Sequence, residues 1–160
     1  WAVRYAEHGR DGLIDVTTIR PTVRSFRASD AEQLINRDGE QLDLAPFLRQ
    51  AAAGVAFTAC LDGRPIGSAG LIILWPGVAS CWMIVSVELG QHGLWLTRTT
   101  KRFLREMIRV YGIHRLEATS VNGDNGRWLE ALGFTSERDG VARQYLSDRR
   151  NVVRYEWVST

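Results

Sequence analysis

The run SCWMIVSV (residues 80–87), followed by ELGQHG (88–93) and LWLTRTTKRFLREMIRVY (94–111), decides the fold. The first segment is almost wholly apolar, so it reads as a central strand buried on both faces. The second is a short loop carrying Gly90 and Gly93. In the third, Leu96, Phe103, Leu104, Met107, Ile108 and Tyr111 recur at helical spacing on one side, and Gly112 ends the helix. Residues 114–120 then read as another strand. Strand, loop, long helix and strand form a βαβ unit, so the two strands are predicted to be parallel neighbours or near neighbours.

Upstream, residues 1–15 are polar and patternless and read as an N-terminal arm, leaving 16–160 as one domain. VTTIR (16–20) reads as a strand that stops at Pro21. Ser29 and Glu32 have capping-box spacing for a first helix. Asp43 caps a second helix over 44–53, with Pro46 in its first turn and Gly54 at its end. Strands at 55–60 and 64–74 flank Asp62-Gly63, a type I′ hairpin signal, and Pro76-Gly77 marks the next turn. Downstream, 124–132 reads as a short helix stopped by Gly133. Asp139-Gly140 reads as a turn, and 142–146 with 152–158 as a closing antiparallel pair. The predicted order is β-α-α-β-β-β-α-β-α-β-β, an α/β (α+β) domain on a mixed, twisted sheet. Phe103, Met107, Trp128, Leu132 and Phe134 are its expected core.

Composition sets the outer limits. With 45% hydrophobic and 24% charged residues in 160, the chain has enough apolar material for a single buried core. A net charge of +2 does not suggest nucleic-acid binding. Cys60 and Cys81 sit in apolar runs and read as reduced buried thiols, and neither belongs to a zinc-spaced cluster. The longest apolar run, 69–75, is too short to span a bilayer. With no signal-peptide pattern visible, the expected location is the cytoplasm.

The element order, together with NGDNGRWLEALGF (122–134) and its Leu132-Gly133-Phe134 ending, resembles the GCN5-related N-acetyltransferases. The resemblance covers about 16–158. It implies acetyl-CoA as cofactor and an amine as acceptor. The loop after the central strand would cradle the pyrophosphate, with backbone N–H groups at the next helix start meeting the phosphates. It thus implies cofactor-binding roles for Gly90, Gln91, Gly93, Leu94 and Trp95, for Val85 and Val87 at the strand end, and for Asn122 and Asn125 in the second motif. A backbone N–H near Val87 would polarise the thioester carbonyl. Glu88 is the candidate general base; its alternative reading is a solvated loop carboxylate. Two positions depart from the family pattern. Trp95 stands where the family has a small residue, and Leu129 stands where many members have a proton-donating Tyr.

Cys81-Trp82, the helix segment Lys101-Arg102-Phe103-Leu104-Arg105 and the start Ile19-Arg20-Pro21-Thr22 resemble a branch of this fold encoded by short-tailed bacteriophages. That resemblance implies a second class of function. The protein would be non-catalytic, would contact phage structural proteins during virion assembly, and would reside in the host cytoplasm or the virion. Arg98, Lys101, Arg102, Arg105 and Arg109 form a helical stripe that could meet a phosphate or be a solvated face. His92 reads as an exposed loop residue and His114 as structural. No Ser/His/Asp set, P-loop or Rossmann fingerprint is present.

Overall fold

The computed structural model describes residues 21–38, 44–121, 125–143 and 151–159. Among the described residues, seven strands form one mixed sheet in the order β1-β2-β3-β4-β5-β7-β6. They are β1 (Thr22–Ser25), β2 (Val55–Leu61), β3 (Arg64–Trp75), β4 (Val78–Val85), β5 (Arg115–Val121), β6 (Thr135–Ala142) and β7 (Val152–Val158). The helices are α1 (Ala28–Asp38), α2 (Leu44–Ala53), α3 (Val87–Gly90), α4 (Gly93–Tyr111) and α5 (Gly126–Leu132). The expected order holds, with α3 added. None of the helices among the described residues is long and apolar enough to cross a membrane.

The hairpin forms as its turn residues dictate. Asp62 and Gly63 both take positive φ, 50° and 76°, and β2 and β3 pair antiparallel from Leu61↔Arg64 outward. β4 is the middle strand, antiparallel to β3 and parallel to β5. It is less buried than its sequence predicts: Cys81, Trp82 and Met83 remain half-buried.

Several boundaries move. The expected strand at 16–20 and the arm at 1–15 lie outside the described residues, as does Asp43; the first described strand follows Pro21. Helix α1 is capped by Asp30 rather than by the Ser29/Glu32 pair. The Arg27 N–H donates to Asp30 Oδ2 at 2.9 Å, while Ser29 and Glu32 are exposed. Asp139-Gly140 is no chain-reversing turn but lies inside β6, where the ladder to β7 is irregular between Ser136 and Val141. The described partner of β7 is therefore Thr135–Ala142, with Ala142 opposite Val152, and 144–146 of the expected strand lie outside the described residues.

The two faces of the sheet are covered differently. Helices α1 and α2 pack on the β2–β4 half of one face. There Asp30 is buried at 1% exposure. It accepts two 2.7 Å bonds from Arg24 and one from the Thr58 hydroxyl. Burial alone would raise the Asp30 carboxyl; the bonds from Arg24, Thr58 and the Arg27 N–H outweigh it and hold the group below the usual carboxylate range. The other face carries α4 and α5. Leu71, Leu104, Leu116, Leu129 and Phe134 are buried there, with Phe103, Met107, Trp128 and Leu132 packed partly buried against them.

Candidate active site

The site begins where a ladder stops. β4 and β5 are paired only at Val78↔Arg115, Ala79↔Leu116 and Ser80↔Glu117. Beyond that, β4 runs on to Val85 while β5 pairs with β7 along its whole length. The two parallel strands thus part over residues 81–85, and that edge of β4 faces a gap. The C-terminal end of a parallel strand is where α/β sheets place their ligands.

Ser86 fixes the exit from β4. Its N–H and its hydroxyl both donate to the Ile66 carbonyl, at 3.0 and 2.6 Å, and its Oγ accepts from the Leu89 N–H as the cap of α3. The predicted strand end at 87 is therefore wrong by two residues. Val85 is the last strand residue and is exposed, and Val87 is the first residue of α3. The predicted loop at 88–93 is in part this helix. A Ser followed by Glu88 was the available signal, since cap residues and first-turn acids mark helix starts.

Helix α4 starts beyond the gap. Its first intrahelical bond is Leu96 N–H to the His92 carbonyl, so the N–H groups of Gly93, Leu94 and Trp95 lie ahead of the ladder and point out of the helix end. A side-chain atom built on Gly90 or Gly93 meets nothing within 4 Å, and Leu94 is 78% exposed. Gln91 is exposed and closes α3 with its N–H on the carbonyls of Glu88 and Leu89. The backbone at this helix end is thus open to an anion.

The Trp95 indole is half-buried and lines a groove on the β3 side of α4 with Leu89 and Leu96. Glu88 bonds Arg64 Nη2 at 3.0 Å, at the start of β3. Leu129 is buried in the core against α4. Asn122 lies outside the described residues. Asn125 is exposed at the N-cap of α5, where its N–H donates to Ser120 Oγ at 3.0 Å and its carbonyl accepts from Trp128 and Leu129. Burial pushes the Cys81 thiol up to about 12, so it stays protonated at neutral pH and is no nucleophile.

One contact was not legible in the sequence. Trp128 Nε1 donates to Thr97 Oγ1 at 3.1 Å, and Thr97 in turn donates to the Gly93 carbonyl at 2.8 Å. The chain of bonds ties the start of α5 to the first turn of α4 and fixes two helix ends, one following each strand of the gap. The basic stripe spreads around α4: Arg102 and Arg109 border the groove on the β3 side, Lys101 lies beside Leu104 and Ile108 on the other, and Arg105 borders both.

No protein-family model and no curated protein matches the sequence. Solved structures do match its fold. The ribosomal-protein-S18-alanine N-acetyltransferase of Escherichia coli aligns with a TM-score of 0.67 at 18% identity, over 88% of this chain and 96% of that one. The ribosomal-protein-S5-alanine acetyltransferase of Vibrio fischeri aligns at 0.66 and 17%, over 85% and 91%. The IAA acetyltransferase of Bacillus cereus aligns at 0.68 and 16%, over 88% and 100%. At such identities the likeness establishes the fold: this is the mixed α/β fold of the GCN5-related N-acetyltransferases.

Proposed function

We propose that the protein binds acetyl-CoA in the gap between β4 and β5 and transfers the acetyl group to an amine. The observation that carries this reading is the early end of the β4–β5 ladder at Ser80↔Glu117, followed by an α4 start that is open at Gly90 and Gly93. When bound, acetyl-CoA supplies an activated thioester carbonyl. The N–H groups of Gly93, Leu94 and Trp95 hold its pyrophosphate. The gap-side backbone of residues 81–85 lines its pantetheine arm, and the Val87 N–H is the donor to the developing negative charge. Glu88, positioned by Arg64, or a water it holds, takes the amine proton. Leu129 cannot return a proton to the leaving thiolate, so that proton comes from solvent.

Titration calorimetry on the whole chain tests the reading. Acetyl-CoA should bind at micromolar level, near about −8 kcal/mol. Gly93→Pro removes one N–H at a helix position where proline is tolerated, so affinity should fall about tenfold, the worth of one charge-assisted bond, with the melting temperature kept. Absence of binding at millimolar acetyl-CoA sinks the proposal.

A second reading is favoured by the burial of Leu129 and the Glu88–Arg64 pair. In it the protein is phage-encoded and non-catalytic, and it contacts phage structural proteins in the host cytoplasm or virion. Acetyl-CoA binding without transfer to any amine tried would favour this second reading.

A further inference from the structure

The β1–β3 strands leave one face half-open. On β2, Thr58 and Cys60 point toward α1 and are buried at 0% and 3%, whereas the alternate residues Phe57 and Ala59 are only half-buried. Helix α4 covers part of this face, its Phe103 meeting Phe57 edge-on. Between them lies a groove of about 620 Å³, within the range of about 300–1,000 Å³ usual for small-molecule sites. Its floor is Ala59 and Ala69, flanked by Phe57 and Met83, and Leu89 packs over Gly67. Its wall is Leu96, Phe103 and Met107 from α4, and its end is closed by Leu89 and Trp95. The short side chains of Ala59 and Ala69 leave an apolar trough between Phe57 and the α4 side chains.

The rim has a charge. Arg102, Arg105 and Arg109 border the groove and are exposed. Arg109 is paired with Glu106, also at the rim, at 2.6 Å. The rim thus carries three cations against one anion. An apolar trough with a cationic lip fits an elongated apolar chain bearing an acidic head.

We infer that this groove binds a long alkyl chain, either that of a fatty acid, whose carboxylate is the head group, or that of a fatty acyl thioester, whose neutral thioester lies toward Leu89 and Trp95. The chain lies on Ala59 and Ala69, and the carboxylate of a free acid meets Arg102 and Arg105. The trough ends at Leu89 and Trp95, whose chain neighbours form the proposed donor site. The ligand is therefore either a free acid or the tail of a donor longer than acetyl. Only the second assignment rests on the acyltransferase reading.

Calorimetry on the whole chain with octanoate, decanoate and dodecanoate, below their micellar concentrations, decides. Affinity should rise about fourfold per added methylene, as burial of apolar surface requires. Ala69→Phe fills the floor and should abolish binding. Arg102→Glu with Arg105→Glu, both on the surface, should weaken dodecanoate at least tenfold and leave dodecanol unchanged. Dodecanoyl-CoA binding more tightly than both acetyl-CoA and dodecanoate assigns the groove to the donor's tail. Dodecanoate binding without acetyl-CoA binding assigns it to a free acid, and rejects the acyltransferase reading while keeping the groove. Affinity independent of chain length overturns the inference, as does equal loss of acid and alcohol. Absence of binding also overturns it.

Discussion

At the scale of single residues, a buried carboxylate and a buried glycine carry the sharpest expectations. Asp30 is held below its ordinary value of 3.8, so its contribution to stability is present above that value and is lost as pH falls through the lower folded value. Asp30→Asn should cost about 2 kcal/mol at neutral pH, as bonds to a charged group do, and progressively less below pH of about 4. Urea unfolding across pH measures this; a cost independent of pH would show that the charge is not what matters. Gly126 begins α5 with Tyr155 packed on it: an added Cβ would lie 2.2 Å from the hydroxyl. Gly126→Ala should destabilise by about 1–3 kcal/mol, and Tyr155→Phe in the same chain should recover most of that, read by thermal melting. Neither residue stands out in the sequence. The role of Asp30 depends on Arg24 and Thr58, which lie 6 and 28 residues away, and that of Gly126 on a tyrosine from the last strand.

At the scale of elements, local chemistry was mostly legible. The β2–β3 hairpin follows from Asp62-Gly63, whose positive φ values suit those residue types. The ends of α4 and α5 follow from Gly112 and Gly133, both left-handed at 60° and 102°. The start of α1 and the end of β4 were misread, because Asp30 and Ser86 compete with nearby signals of similar strength and tertiary bonds choose between them. The helix-to-sheet contact can be tested at Phe103, which meets Phe57 edge-on with ring centroids 5.0 Å apart. Since Phe103 is only partly buried, Phe103→Ala should cost about 3 kcal/mol, the low end for a large-to-small change. Phe57→Ala with Phe103→Ala should cost less than the sum of the two single changes. Additive costs in chemical denaturation would show that the ring pair contributes nothing of its own.

At the scale of the whole molecule, the decisive feature is a sheet that opens between its two parallel strands. Amides of residues 81–85 that face β3 should exchange slowly, and those that face the gap should exchange fast and slow down on adding acetyl-CoA. Uniform slow exchange across β4 would mean that the gap is closed in solution. The sequence by itself determined the element order, the hairpin, the central place of β4 and its parallel neighbour, because these depend on periodicity, turn residues and crossover geometry that act over a few residues. It also put Gly90 and Gly93 just ahead of the long helix, where the structure leaves open space beside both. Only the tertiary structure decided where the β4–β5 ladder ends: β5 keeps β7 on its other edge along its whole length but leaves β4 after Glu117. It alone turned Trp95 into a groove, tied Glu88 to Arg64 and bound Trp128 to Thr97. The direction of a side chain at a helix start or strand end depends on what the rest of the chain packs beside it, and periodicity carries no record of that.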